Sequence, residues 1–272
     1  MAENENQSKE KRFRSGYRSL LRADQQVLRF QNLLVNISQD DPIAIAVVSA
    51  IRQGDVAALE RVLRDRPNLA TALIVDGGGV ERSLLHIATD WPGHFPVVDQ
   101  TIRVLIAAGA NLNARAKTET ALHWAASSDD VIAIDALLDG GADIEAPGAI
   151  FTGGTAMSDA VVFAQWNAAR RLLERGAETT LWQAAALGLF DRVQQHFVEE
   201  RIPTPDEITN AFWHACRGGQ QSTAEYLRSR GANLNWIGYD HRTPLAAAQD
   251  SGNQELANWL REYGAKLAGE LV

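Results

Sequence analysis

An all-α solenoid of six to seven helix-turn-helix repeats with an N-terminal helical extension is the fold class this chain predicts. Three observations predict it. First, residues 119–146 read as two short helices and a glycine-terminated loop: Leu122, Ala125 and Ala126 fall at i, i+3 and i+4 on one helix, and Ile134, Leu137 and Leu138 do so on the next. Each helix has only two to three turns, below the roughly 12 to 15 residues at which an isolated helix becomes marginal, so the pair must bury its stripes against neighbours. Second, an interval of 19 residues separates Leu122 from Gly141, Met157 from Gly176, Phe212 from Gly231 and Leu245 from Gly264, and alanine follows each of those glycines. Third, an alanine lies three residues after each leading apolar residue (Ala125, Ala160, Ala215, Ala248), where a larger side chain would push neighbouring helices apart.

The motif resembles the ankyrin repeat, whose pattern opens the first helix with T-P-L-H-x-A and closes the second with G-A-D/N-x-N. Residues 120–125, 109–113, 243–245 and 231–235 carry the resemblance, which extends over about 43–267. It implies a solenoid that binds other proteins through surfaces differing between members, and it says little about chemistry. It also implies that His86 and His123, fourth in the T-P-L-H pattern, bridge adjacent loops by hydrogen bonds. Trp182 and Trp213 take that place in two later repeats.

Composition agrees with a single array from 41 to 272, preceded by residues 1–40. The formal charge of −8 and pI near 5.3 argue against nucleic acid, since neutralising phosphates needs a basic face. A single cysteine, Cys216, excludes an intramolecular disulfide framework and favours a reducing, cytoplasmic setting. The longest apolar run, near 43–48, is far shorter than a membrane span. A protein partner and a monomeric array are therefore expected, with no cofactor, metal or catalytic group.

In chain order, residues 1–12 are polar and aperiodic, the pattern of a disordered tail. From Tyr17, Leu20, Leu21, Val27 and Leu28 recur at helical spacing beside an excess of basic residues, the pattern of an amphipathic cap on the first repeat, or of a segment attracted to an acidic partner or membrane. Repeat one has Val47, Ala50 and Gly54, then a helix from Val56 that Pro67 terminates. A long loop with Gly77, Gly78 and Gly79 follows, without the Gly-Lys-Ser/Thr of a phosphate loop. Repeat two is five residues longer than its relatives, and the excess lies in 90–96, which hold Trp91, Pro92, His94, Phe95 and Pro96. Either Trp91 and Phe95 fold back over the helix ends or they form a binding lip. Between repeats four and five the finger loop is missing: only five residues separate Gly176 from Leu181, against thirteen from Gly109 to Leu122.

Candidate chemistry is thin. His86, Asp90 and His94 have helical metal-ligand spacing, but Pro92 should end the helix before His94. Cys216 aligns with the apolar Ala126 and is expected to be buried and inert. The surviving site is the concave groove. Positions five and six after each leading residue should face it, placing Asp90 and Trp91, Ser127 and Ser128, Phe163 and Leu187, and Arg217 along its length. Position two should be half inward, adding Trp124, Asp159, Gln183 and His214, while His94 and Phe95 form the lip. Such an aromatic floor with a charged rim suits a protein interface, with Trp91 and Trp124 as anchors and packing of Trp124 and Leu187 between repeats as the alternative. A small-molecule site or enzyme would instead need Trp91, His94, Trp124, Asp159 and His214 to converge.

Overall fold

The computed structural model describes residues 36–198 and 202–271. The tail and basic amphipathic helix expected within residues 1–40 lie outside them up to residue 35, and 36–38 form a strand instead. The described residues hold seven helix pairs. The inner helices are α1 (Pro42–Gln53), α3 (Leu84–Ala88), α5 (Ala121–Ser127), α7 (Ala156–Val162), α9 (Leu181–Leu187), α11 (Pro205–Arg217) and α13 (Pro244–Asp250). Each is followed by its outer partner: α2 (Val56–Asp65), α4 (Val98–Ala107), α6 (Val131–Asp139), α8 (Trp166–Glu174), α10 (Phe190–Gln195), α12 (Gln221–Ser229) and α14 (Gln254–Glu262). Inner packs on inner throughout, and outer on outer through repeats one to four and between five and six, so each pair touches chiefly its neighbours.

Local chemistry sets the helix ends. Thr120 opens α5 with a capping box in which its N–H donates to His123 Nδ1 at 3.2 Å, and Thr180 does the same for α9 with Gln183 Oε1 at 2.8 Å. Asp55 and Asp130 cap the outer helices α2 and α6 through Ala58 N and Ala133 N. The recurrent glycine has a clear reason at Gly141. With φ at 95° it closes α6, its N–H donating to Leu138 O and the next, Ala142, to Leu137 O, the paired bonds of a left-handed helix stop. Gly109, Gly176, Gly231 and Gly264 share that conformation.

The asparagine motif after those glycines is also explained. Asn111 Oδ1 accepts from Asn113 N, and Asn113 Oδ1 accepts from Asp143 N one repeat later at 3.0 Å. Asn233, Asn235 and Lys266 repeat the arrangement. One residue shapes the turn and the next ties it to the following repeat.

Two features depart from the sequence expectation. The stretch expected as loop before Ser83 contains a 3-10 turn (Pro67–Thr71) and a hairpin of β2 (Leu73–Val75) and β3 (Glu81–Ser83). β1 (Asn36–Ser38) pairs parallel to β2, giving a sheet of order β1-β2-β3. The run Leu-Ile-Val favours strand, and Asp76 Oδ1 holds the triple-glycine turn by accepting from Gly78 N and Val80 N, both at 2.9 Å. Second, the core divides at α9. Its Ala186 belongs to the apolar cluster of repeats one to four, Leu181, Ala184 and Ala185 belong to that of repeats five to seven, and Trp182 packs on both.

Candidate functional site

The loop after α3 is pinned from below while its tip stays free. Asp130 Oδ2 accepts from His94 N at 2.7 Å and Ser128 O pairs with His94 Nε2 at 3.0 Å, while Gly93 lies so close to Ser128 that a Cβ would approach its Cβ at 2.9 Å. Asp90 forms ion pairs with Arg52 and Arg82. On this fixed base Trp91 is 80% exposed. Trp91 is therefore not part of a satellite core. Phe95 is half-buried. His86, Asp90 and His94 point to different partners, and among the described residues no group of three His, Cys, Asp or Glu could hold a metal.

Position six recurs in repeat four at Phe163, which is exposed and meets the exposed Phe151 of the preceding finger edge-on at 5.8 Å. Phe151 was not among the candidates, because a finger residue obeys no helical period. In repeat three the same position is buried: Ser128 lies under the 90–97 loop, and Ser127 Oγ donates to Trp124 O. Leu187 is half-buried against the N-terminal core.

Position two corrects the sequence reading. It was expected to face half into the groove, yet Asp159, Gln183 and His214 are buried between repeats. Gln183 is committed to the Thr180 cap and to Ser158 Oγ at 2.9 Å. His214 lies among Trp182, Trp213 and Tyr239, with ring centroids 4.6 to 5.8 Å away, and desolvation pushes it down to about 3, so it stays neutral. The cause is the stacking of the inner helices: residues two positions past the leading one meet the adjacent inner helix.

Of the four candidates at this position, Trp124 is the half-exposed one. Its Nε1 donates to Glu119 Oε2 at 3.0 Å, and His86 meets its ring edge-on at 4.9 Å. Glu119 also acts on Asp159, whose carboxyl burial and the Glu119 charge push up to about 8. Glu119 precedes the helix and so escaped the helical-spacing argument. Arg217, half-buried, donates from Nη1 to Val162 O at 2.6 Å and lies 5.7 Å from the Trp213 ring, beside a cavity of about 330 Å³ that also meets Asp240, Arg242 and Asp250.

The inter-repeat bridge decides the family together with the stacking. His86 Nε2 donates to Glu119 O at 3.1 Å and His123 Nε2 to Gly154 O at 3.3 Å; a carbonyl can only accept, which fixes the tautomer. A family model described as "Ankyrin repeats (3 copies)" matches residues 85–181 and 181–268, more than half of the chain. The chain belongs to the ankyrin repeat family. In this ankyrin array Trp213 substitutes for the bridging histidine, its Nε1 donating to Arg242 O at 3.0 Å, the carbonyl just before Thr243 as Glu119 O is just before Thr120.

Among solved structures, the crystal structure of the ankyrin repeat domain of Bcl-3, described as a unique member of the IkappaB protein family, matches 85% of this chain and 89% of that one, at 24% identity and a TM-score of 0.46. No curated protein sequence matches the chain significantly. Ankyrin repeats are generally protein–protein interaction modules, and proteins built from them are typically non-catalytic scaffolds. No helix among the described residues is long and apolar enough to cross a membrane.

Proposed function

We propose that this ankyrin array is a non-catalytic scaffold whose concave groove at repeats two to four receives a protein partner, with Trp91 as its leading anchor. One observation carries the reading: a tryptophan that is 80% exposed stands on a loop held by His94, Gly93 and Asp130. A large aromatic on a rigid base loses little conformational entropy on docking, which is why such residues dominate interface energetics. Phe163 and Phe151 extend the apolar surface two repeats on, and Asp90 with its arginines supplies a charged rim. The enzyme or small-molecule alternative has less support. Of the residues it requires, His214 sits in the aromatic cluster of repeats five and six, His94 is engaged at Ser128, and Asp159 faces Glu119. A monomeric protein in a reducing cytoplasm, with no nucleic-acid partner, completes the proposal.

The test is affinity capture from cell extract with the full chain, repeated with Trp91→Ala. A specific protein retained by the parent should be lost by the variant, a drop of at least about 2 kcal/mol or some thirtyfold in affinity. Equal retention by both would remove Trp91 from the interface.

A further inference from the structure

Glu119 and Asp159 come from successive repeats and meet as two carboxyls. Asp159 is 1% exposed, and neither of its oxygens receives a hydrogen bond from an N–H or hydroxyl group of any described residue. The one charged group acting on it is the Glu119 carboxyl, whose Oε2 already takes the Trp124 indole N–H. Buried polar atoms are nearly always satisfied, and paired acids without a cation are costly, so the arrangement calls for a positive charge or a proton between them. Three nearby side chains that can carry positive charge are engaged elsewhere or neutral. Arg115 donates to Thr118 O and Pro147 O, His123 is bonded through both nitrogens, and burial pushes His86 down to about 4, leaving it neutral. Glu119 forms no ion pair with a described residue, unlike Asp90 and Asp135, which pair with arginines.

We infer that Glu119, Asp159 and the half-buried Trp124 ring form a notch that takes a lysine or arginine side chain of the protein partner. The inference rests on the groove reading above and adds the chemistry of what the groove receives. The indole supplies a π face and the carboxylate a charge-assisted acceptor, and the hydrogen bond between them fixes their relative position. Asp159 stands behind as the second acid, holding a proton until a cation arrives. The partner segment is then a basic residue flanked by apolar ones that reach toward Trp91 and Phe163, on a chain whose net charge of −8 favours approach of a basic segment.

The experiment uses the full chain and three probes: the Nα-acetyl amides of lysine, arginine and glutamate. Indole N–H resonances are followed by NMR during titration. The lysine and arginine amides should shift the Trp124 resonance, the glutamate amide should not, and Glu119→Gln and Asp159→Asn should each weaken the response about tenfold, the loss of one charge-assisted contact. The other indole resonances report whether each variant keeps its fold. A response equal for all three amides, or unchanged in both variants, overturns the inference. The groove reading is separable: loss of the captured protein on Trp91→Ala with no amide response leaves the groove and removes the notch, whereas the converse leaves the notch and removes the Trp91 anchor.

Discussion

Repeats two to four and repeats five to seven are built on one pattern yet spend their aromatic residues differently. In the first group Trp91, Phe151 and Phe163 are exposed, and the polar bridges between repeats are made by His86 and His123. In the second, Trp213 is 1% exposed, it makes the bridge to Arg242 O itself, and its ring meets His214 and the exposed Tyr239 at 5.0 and 5.5 Å. The difference coincides with the missing finger between Gly176 and Leu181. Before that gap the finger carbonyls of Glu119 and Gly154 meet a small imidazole, and Trp91, Phe151 and Phe163 stay exposed. After it, the Arg242 carbonyl of a later finger meets the wide indole of Trp213, which is buried.

The sharpest way to break this contrast is at Trp213. Trp213→Ala removes a buried ring and its bridge, and should cost about 3 to 5 kcal/mol, seen as a large fall in melting temperature. A small loss would mean that the C-terminal aromatics are not structural.

The second test is pH. An acid raised on folding binds protons that the unfolded chain has released, so Asp159, at about 8 against an ordinary 3.8, lowers stability as pH rises through that window. The histidines act oppositely: His86 at about 4 and His214 at about 3, against an ordinary 6.5, stabilise above 6.5 and lose that contribution as pH falls below it. Below 6.5 two histidines outweigh one acid, and above it the acid outweighs them. Stability measured by urea unfolding should therefore peak near pH 6.5 and decline by roughly 1 kcal/mol toward pH 8, the histidines still offsetting part of the acid just above 6.5. Asp159→Asn should flatten the alkaline arm and steepen the acid arm, because the two histidines then act unopposed.

Smaller still is the bridge itself. His123→Ala removes one interaction to Gly154 O and the cap on Thr120, and should cost about 1 to 3 kcal/mol by denaturant unfolding, with the exposed aromatics of the N-terminal repeats unaffected. Trp91→Ala should be the mildest change, under about 0.5 kcal/mol, because little of the ring is buried. A Trp91 variant that melted as early as Trp213→Ala would erase the contrast.

How far the sequence could be read follows from what each signal encodes. Helix pairs, glycine stops and the missing finger were legible because they obey fixed spacings. The hairpin at 73–83 was not, since a repeat frame anticipates loop there and only the Leu-Ile-Val run argues otherwise. Of the site, Trp91 and Phe163 were legible as position-six aromatics outside the core. Asp159, Gln183 and His214 were misplaced because a helical wheel describes one helix, and their burial is imposed by the next repeat. Glu119 and Phe151 lay in fingers, where spacing carries no information.

The account stands most directly on the solvent exchange of the seven indole N–H groups in the native protein, measured residue by residue by NMR. Trp91 should exchange at close to the rate of a free indole, while Trp213, buried and bonded to Arg242 O, should be strongly protected. Protection of Trp91 comparable to that of Trp213 would contradict the division of the array into a partner-facing half and a self-packed half.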